Sequence, residues 1–161
     1  MARKIALWAA VVLVVATLVL VFFYRSIHQE EWAERLEAKS TVTSSTYMRT
    51  VNRVERFVGV KPYMIVFGQD EEGKEAIAWV NEGKAHMKYA STGISAEDAQ
   101  RKVEQNNADN EVLRVLPGVL NETYLWEVLY KRKDEEGNRY YYSYYRFDNG
   151  EEIDTWRMSR H

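Results

Sequence analysis

The chain contains no cysteine among its 161 residues. It therefore cannot form a disulfide, a thiolate metal site or a cysteine nucleophile. Its three histidines, His28, His86 and His161, lie far apart in the sequence, so none shows the i, i+3 or i+4 spacing that is typical of zinc ligands. We therefore predict neither a metal site nor a cofactor.

An excess of positive charge is also missing. Only Arg3 and Lys4 precede the first apolar run, and without them 20 basic residues (22 minus 2) stand against 24 acidic ones. Such a balance provides no basic stripe for nucleic acid and no polybasic patch for anionic lipid. We therefore predict that the protein does not bind nucleic acid.

The sequence motifs of common hydrolases are absent as well. There is no Gly-x-Ser-x-Gly elbow, and no Ser-x-x-Lys begins a helical pattern. A pair of carboxylates, as in glycosidases, remains open because the chain has 24 acidic residues. Glu127 is the first candidate, since it lies between Trp126 and Val128 in a predicted strand. The alternative is an outward-facing glutamate paired with a lysine or arginine, and we predict no catalytic residue.

An apolar run is the first feature that the sequence does contain. Residues 5–24 carry no charge and only Thr17 as a polar interruption. About 20 such residues, in a helix, cross a hydrocarbon core of about 30 Å. Arg3 and Lys4 favour a cytoplasmic amino terminus, and no small-residue cleavage site follows the run. We expect residues 1–25 to be a cytoplasmic stub and an uncleaved signal-anchor in the plasma membrane, with the remainder extracellular. A cleaved signal peptide is the alternative.

The remaining residues predict an α+β protein with two small units, residues 26–92 and 93–161. In the first unit, helical patterns cover 28–39 and 47–58. The serine and threonine run at 40–46 between them fits a break, a linker or a weak stretch of one long helix. Apolar runs bounded by turn residues then predict strands over 63–68, 75–81 and 85–90.

The second unit begins at Gly93 with a strong helix signal. Ser95 is placed as the cap, Asp98 follows three residues later, and Ile94 is positioned to touch Ala99. The string Asp-Glu-Glu-Gly occurs at 70–73 and again at 134–137, which indicates a tandem repeat. The other predicted elements are a helix over 96–107 and strands over 112–120, 124–131, 139–147 and 152–158.

Aromatic residues are concentrated in this second unit, where seven of the eleven tyrosines fall between Tyr124 and Tyr145. Alternation along a strand places Tyr140, Tyr142 and Tyr144 on one face. One helix covers only one face of a sheet, so the other face must pack on the first unit or on a partner, which could be a protein or a glycan strand. Our candidate interface residues are Trp126, Tyr140, Tyr142 and Tyr144. We favour burial for Trp126 and partner contact for Tyr140.

Several of these segments resemble a PepSY-type repeat. They are the capped helix Gly93–Ala99, the strand Trp126–Val128, the run Tyr140–Tyr142 and the turn Asp148–Glu151. The first unit is similar to a divergent partner of that repeat. With its apolar run included, the chain is similar to the TseB-like cell-wall elongation regulators of Gram-positive bacteria.

The resemblance implies two PepSY-like (cystatin-like) units outside the membrane. It also implies binding to a penicillin-binding transpeptidase of the elongation machinery, modulation of lateral wall synthesis and no chemistry by the protein itself. Peptidoglycan is a further candidate ligand. Two alternatives stay open: a PepSY-type protease-inhibitory or propeptide-like module at the cell surface, and a wall hydrolase that uses Glu127.

Overall fold

The computed structural model describes the backbone of residues 2–134 and 137–159 and the side chains of 12–24, 31–133 and 137–159. It divides into two compact units, Met1–Leu36 and Glu37–His161. The first unit is the greater part of a long helix, α1 (Ala2–Ser45). Within the described residues, we find no helix that is long and apolar enough to cross a membrane. The predicted span covers residues 5–24, and the side chains of its residues 5–11 lie outside the described residues.

Helix α1 runs without a break through the serine and threonine run, so one long helix is the alternative that the structure supports. The Thr43 hydroxyl donates to the Lys39 carbonyl at 3.0 Å, and the Ser45 hydroxyl donates to the Thr41 carbonyl at 2.6 Å. These hydroxyls donate to carbonyls of the preceding helical turn, so they do not draw the backbone into a non-helical conformation. The helix ends at Ser45.

The predicted helix over 47–58 is wrong, because these residues form strand β1 (Thr50–Val58). The helical spacing of Val51 and Val54 arises from a bulge. Val51 pairs with Gly68 and Val54 pairs with Val66, while the register shifts between Val51 and Arg53. One extra residue turns two valines that are three apart towards the same face, and this imitates a helical period.

Two four-stranded antiparallel sheets, each with its strands in chain order, make up the rest of the fold. A short 3-10 turn (Ala90–Thr92) and helix α2 (Ala96–Asn106) lie between them. The first sheet contains β1, β2 (Pro62–Gln69), β3 (Glu75–Asn81) and β4 (Lys84–Tyr89). The second sheet contains β5 (Asn110–Leu120), β6 (Thr123–Asp134), β7 (Gly137–Arg146) and β8 (Glu152–Arg157). The predicted α+β class and the predicted strands are confirmed.

The two halves repeat the same order, a helix followed by four antiparallel strands. The first strand of each half carries a bulge, between Val51 and Arg53 in β1 and between Val112 and Arg114 in β5. The first Asp-Glu-Glu-Gly string lies between β2 and β3, and the second begins at the last residue of β6 and ends at the first residue of β7, although its residues 135–136 lie outside the described part. The boundary predicted at residues 92 and 93 stays a prediction, since residues 37–161 form one compact unit.

Helix α2 begins as its sequence predicts. The Ser95 hydroxyl accepts from the Asp98 amide at 3.1 Å, and the Asp98 carboxylate accepts from the Ser95 amide at 3.1 Å. This reciprocal capping box satisfies two amides that a helix start leaves without partners. The cap orients the helix so that Ala99 and Val103 are buried.

Two apolar cores hold the compact unit together. In the smaller core, Ala38 and Val42 from the end of α1 cover one face of the first sheet. The larger core joins the other face of that sheet to α2 and the second sheet, and Trp79 contacts the rings of Tyr124 (4.7 Å) and Phe147 (5.4 Å) there. The first sheet is therefore covered on both faces, whereas among the described residues α2 is the one α-helix that packs on the second sheet.

Candidate functional site

Strand pairing assigns the side chains of the second sheet to two faces. Trp126 pairs with Tyr145, and Val128 pairs with Ser143. Paired residues point to the same side of a sheet, so these four lie on the inner face, which belongs to the larger core. Glu127 pairs with Tyr144 on the opposite, outer face.

Trp126 is buried in the larger core, as we predict from the apolar residues beside it. Its indole Nε1 donates to the Ile94 carbonyl at 3.0 Å, which ties β6 to the residue before the α2 cap. Its ring also stacks on Phe147, with 6.1 Å between the centroids. Trp126 therefore does not share a face with the other three candidates.

The outer face carries what we call the aromatic surface, formed by Tyr140, Tyr142, Tyr144, Trp156 and Met158. Tyr144 is only 5% exposed, whereas Tyr140 is 43% and Trp156 is 55% exposed. The Tyr144 ring lies 6.4 Å from Tyr142 in a stack and 5.7 Å from Trp156 edge to face. A buried tyrosine thus supports a rim of exposed aromatic side chains, and this combination is typical of protein interfaces.

Sequence reasoning did not include Trp156 in this surface. The Asp148-Asn149-Gly150 turn predicts the β7–β8 hairpin, but a register shift between Tyr144 and Tyr145 is needed to bring Trp156 opposite Tyr142, and the turn does not reveal that shift. The exposed Met158 extends the same face, since its amide donates to the Tyr140 carbonyl at 2.9 Å.

Towards β5 the outer face is closed by the first sheet. A Cβ atom at Gly118 would lie 2.4 Å from the Phe57 ring, so β1 approaches the backbone of β5 closely there. Leu116 and Leu125 on this side are buried. The neighbouring repeat therefore covers one end of the face, and the aromatic surface along β7 and β8 remains open to solvent.

Glu127 lies at the boundary between the closed and open parts. It is 6% exposed, and its carboxylate binds the Arg114 guanidinium at 2.8 Å. The predicted pairing with arginine and the predicted outward-facing position are confirmed, but the side chain is buried on that face. Burial raises the pKa of Glu127, and the arginine opposes that shift. A raised pKa suits a general acid, but this carboxylate is buried and is held in an ion pair by Arg114.

Burial of Glu127 should make the stability of the fold depend on pH, and the substitution Glu127→Gln should remove this dependence. A raised pKa in the folded state adds stability that is fully present below the ordinary value of 4.5 and is lost as pH rises through the folded value. We expect the melting temperature of the wild type, relative to Glu127→Gln, to fall between pH 4.5 and neutral pH. Thermal melting across that range measures it. A difference that does not change with pH would contradict this account.

The histidines give no indication of a metal centre. The His86 ring stacks on Tyr124 at 4.6 Å, and burial followed by the charge of Lys88 lowers the pKa of His86. The side chains of His28 and His161 lie outside the described residues. Among the side chains that the structure describes, no group of three or more His, Asp or Glu is placed to hold a metal ion.

Comparison with known proteins shows the family to which the chain is related. Residues 37–81, which run from the end of α1 through β3, match the cell wall elongation regulator TseB-like domain. The chain is 30% identical over 155 residues to the "Probable cell wall elongation regulator TseB" of Bacillus subtilis (strain 168), covering 92% of this chain and 94% of that protein. The structure is similar to that of the "YpmB protein from Bacillus subtilis", with a TM-score of 0.67, 28% sequence identity and coverage of 75% of this chain and 94% of the other. The chain therefore belongs to the TseB-like family of cell wall elongation regulators.

Proposed function

We propose that the protein is a membrane-anchored, extracytoplasmic regulator that binds a penicillin-binding transpeptidase through its aromatic surface. The observation that carries the proposal is this open surface in a member of the elongation-regulator family. Tyr140 and Trp156 expose large rings around a buried Tyr144, in the pattern of a binding hot spot with a solvated rim. A regulator that acts through contact needs such a surface and no reaction centre.

The sequence of the first 25 residues supports the anchor. The run at 5–24 has the length and apolarity of a span, and Arg3 and Lys4 favour a cytoplasmic amino terminus. Confinement of both partners to one plasma membrane raises their effective concentration. A modest contact area is then sufficient for regulation.

The surroundings of Glu127, the first catalytic candidate from the sequence, support a role without catalysis. Glu127 is buried and ion-paired with Arg114, so it serves the packing of β5 against β6. We propose that the protein changes the activity of its partner by binding alone. Zymography on purified peptidoglycan, with Glu127→Gln as the control, distinguishes this proposal from a wall hydrolase.

Crosslinking on intact cells tests partner and topology together. A lysine-reactive reagent that cannot cross membranes is added to cells with the tagged full-length chain, and crosslinked proteins are identified. We expect recovery of a penicillin-binding transpeptidase, because Lys131 and Lys133 lie on β6 beside the aromatic surface. Recovery of abundant membrane proteins without any wall-synthesis enzyme would overturn the partner. Crosslinking only after cell disruption would overturn the topology.

A further inference from the structure

Strand β8 leaves an open edge on the second sheet. It is the last strand in the order β5-β6-β7-β8, and all six of its residues are exposed. The outer edge of the first sheet, β4, carries Lys84 and Lys88, and lysines on an edge discourage pairing with another strand. Strand β8 carries Glu152, Asp154 and Arg157 but no lysine, and its pairing with β7 shifts register between Tyr144 and Tyr145. It also exposes Ile153 and Trp156, so this edge offers apolar side chains to a second strand.

The ladder shows which backbone groups of β8 face that edge. The Met158 amide donates to the Tyr140 carbonyl of β7 at 2.9 Å. Backbone groups alternate in an antiparallel pair, so Trp156 and Asp154 also point towards β7, and Thr155 and Arg157 point away. The Thr155 amide accordingly bonds to the carboxylate of its neighbour Asp154 at 2.8 Å.

We propose that β8 pairs antiparallel with β8 of a second copy of this chain, with the two-fold axis at Thr155. In this register the outward amide and carbonyl of Thr155 bond to the same groups of the other copy. Asp154 faces Trp156 of the other copy, and this contact occurs twice. Opposite residues then carry no like charges, which favours pairing of identical strands.

Neighbouring registers are less favourable. An axis at Asp154 would place the two Asp154 carboxylates directly opposite each other, which is destabilising. An axis at Trp156 would shorten the overlap of two strands that are only six residues long. The sequence of β8 therefore selects the register centred on Thr155.

Pairing requires that the Asp154 carboxylate release the Thr155 amide. The proposed dimer gives this carboxylate another hydrogen-bond donor in place of that amide. In the single chain Asp154 also accepts a hydrogen bond from the indole of Trp156. In the proposed dimer the Trp156 indole of the other copy lies opposite Asp154 and supplies an equivalent bond. Since Asp154 and Trp156 lie on the outer face with Tyr144 and Tyr142, pairing would join two aromatic surfaces into one.

A single cysteine tests the register directly, because the native chain has none. Residues opposite each other in a hydrogen-bonded antiparallel pair have Cα atoms about 5.5 Å apart, which a disulfide can span. We expect full-length Thr155→Cys, oxidised in its membrane, to run mainly as a disulfide dimer on a non-reducing gel. Lys84→Cys on the β4 edge is the matched control. Dimer formation no greater than in that control would overturn the proposal, as would a disulfide to a different protein in place of the dimer.

A proline at the same position tests the backbone pairing. Proline is tolerated on an edge strand where the amide points outward, so Thr155→Pro keeps the β7 ladder and removes both amides at the axis. Thr155→Ala is the matched control, since either change removes the hydroxyl contact to Ser143 at 2.6 Å. We expect co-purification of differently tagged full-length copies to fall about tenfold for proline relative to alanine, because two hydrogen bonds are lost. Equal co-purification of two variants that melt alike would show that β8 is not the interface.

Discussion

Trp126→Ala is expected to lower the free energy of unfolding by about 3–5 kcal/mol, as truncation of a large buried aromatic does. The indole contacts Phe147 and bonds to the Ile94 carbonyl, so its removal opens a cavity and frees the residue before the α2 cap. Denaturant unfolding of the full chain in detergent measures the loss. A change below about 1 kcal/mol would show that the larger core does not depend on this ring.

Tyr140→Ala is the counterpart on the outer face. Tyr140 is 43% exposed at the open end of the aromatic surface, so we expect a loss of stability below about 1 kcal/mol. If the aromatic surface binds the transpeptidase, crosslinking to that enzyme should fall about tenfold or more, as for a binding hot spot. Tyr47→Ala is the matched control, because Tyr47 is an exposed tyrosine outside the second sheet. Normal melting together with wild-type crosslinking would exclude Tyr140 from the interface.

Local signals were sufficient for much of the second repeat. The Ser95 and Asp98 cap and the Asp148-Asn149-Gly150 turn act within a few residues, and alternation placed Tyr140, Tyr142 and Tyr144 on one face. Features of this kind depend on short stretches of backbone and can be predicted from them. The first repeat was harder, because one bulge residue between Val51 and Arg53 gave a strand the spacing of a helix.

The burial of each face could not be predicted in the same way. It depends on contacts between residues distant in sequence, such as Phe57 with Gly118 and Arg114 with Glu127. Alternation sorts the residues within one strand, but it shows neither that Glu127 shares a face with Tyr144 nor that the first repeat closes one end of that face. The open part of the face, and with it the position of Trp156 beside Tyr142, follows only from the folded arrangement.

Gly68→Ala is expected to cost about 3 kcal/mol or more, because the first repeat has no room for one added carbon. A Cβ atom at residue 68 would lie 2.0 Å from the Thr50 carbonyl oxygen and 2.6 Å from the Met48 sulfur. The Met48 side chain can move, but the Thr50 oxygen belongs to the backbone of β1. Relief therefore requires β1 to separate from β2 at the bulge, where Gly68 pairs with Val51.

Gly73→Ala separates this steric cost from the conformational preference of glycine. Gly73 has a φ of +80° with nothing within 4 Å of an added Cβ atom, so alanine there should cost only about 1 kcal/mol. Denaturant unfolding of both variants gives the comparison. Equal costs would mean that β1 can shift away from Gly68 without penalty. A larger cost at Gly68 would show that close contact between β1 and β2 fixes the bulge, and the bulge in turn directs Val51 and Val54 into the core beneath α1.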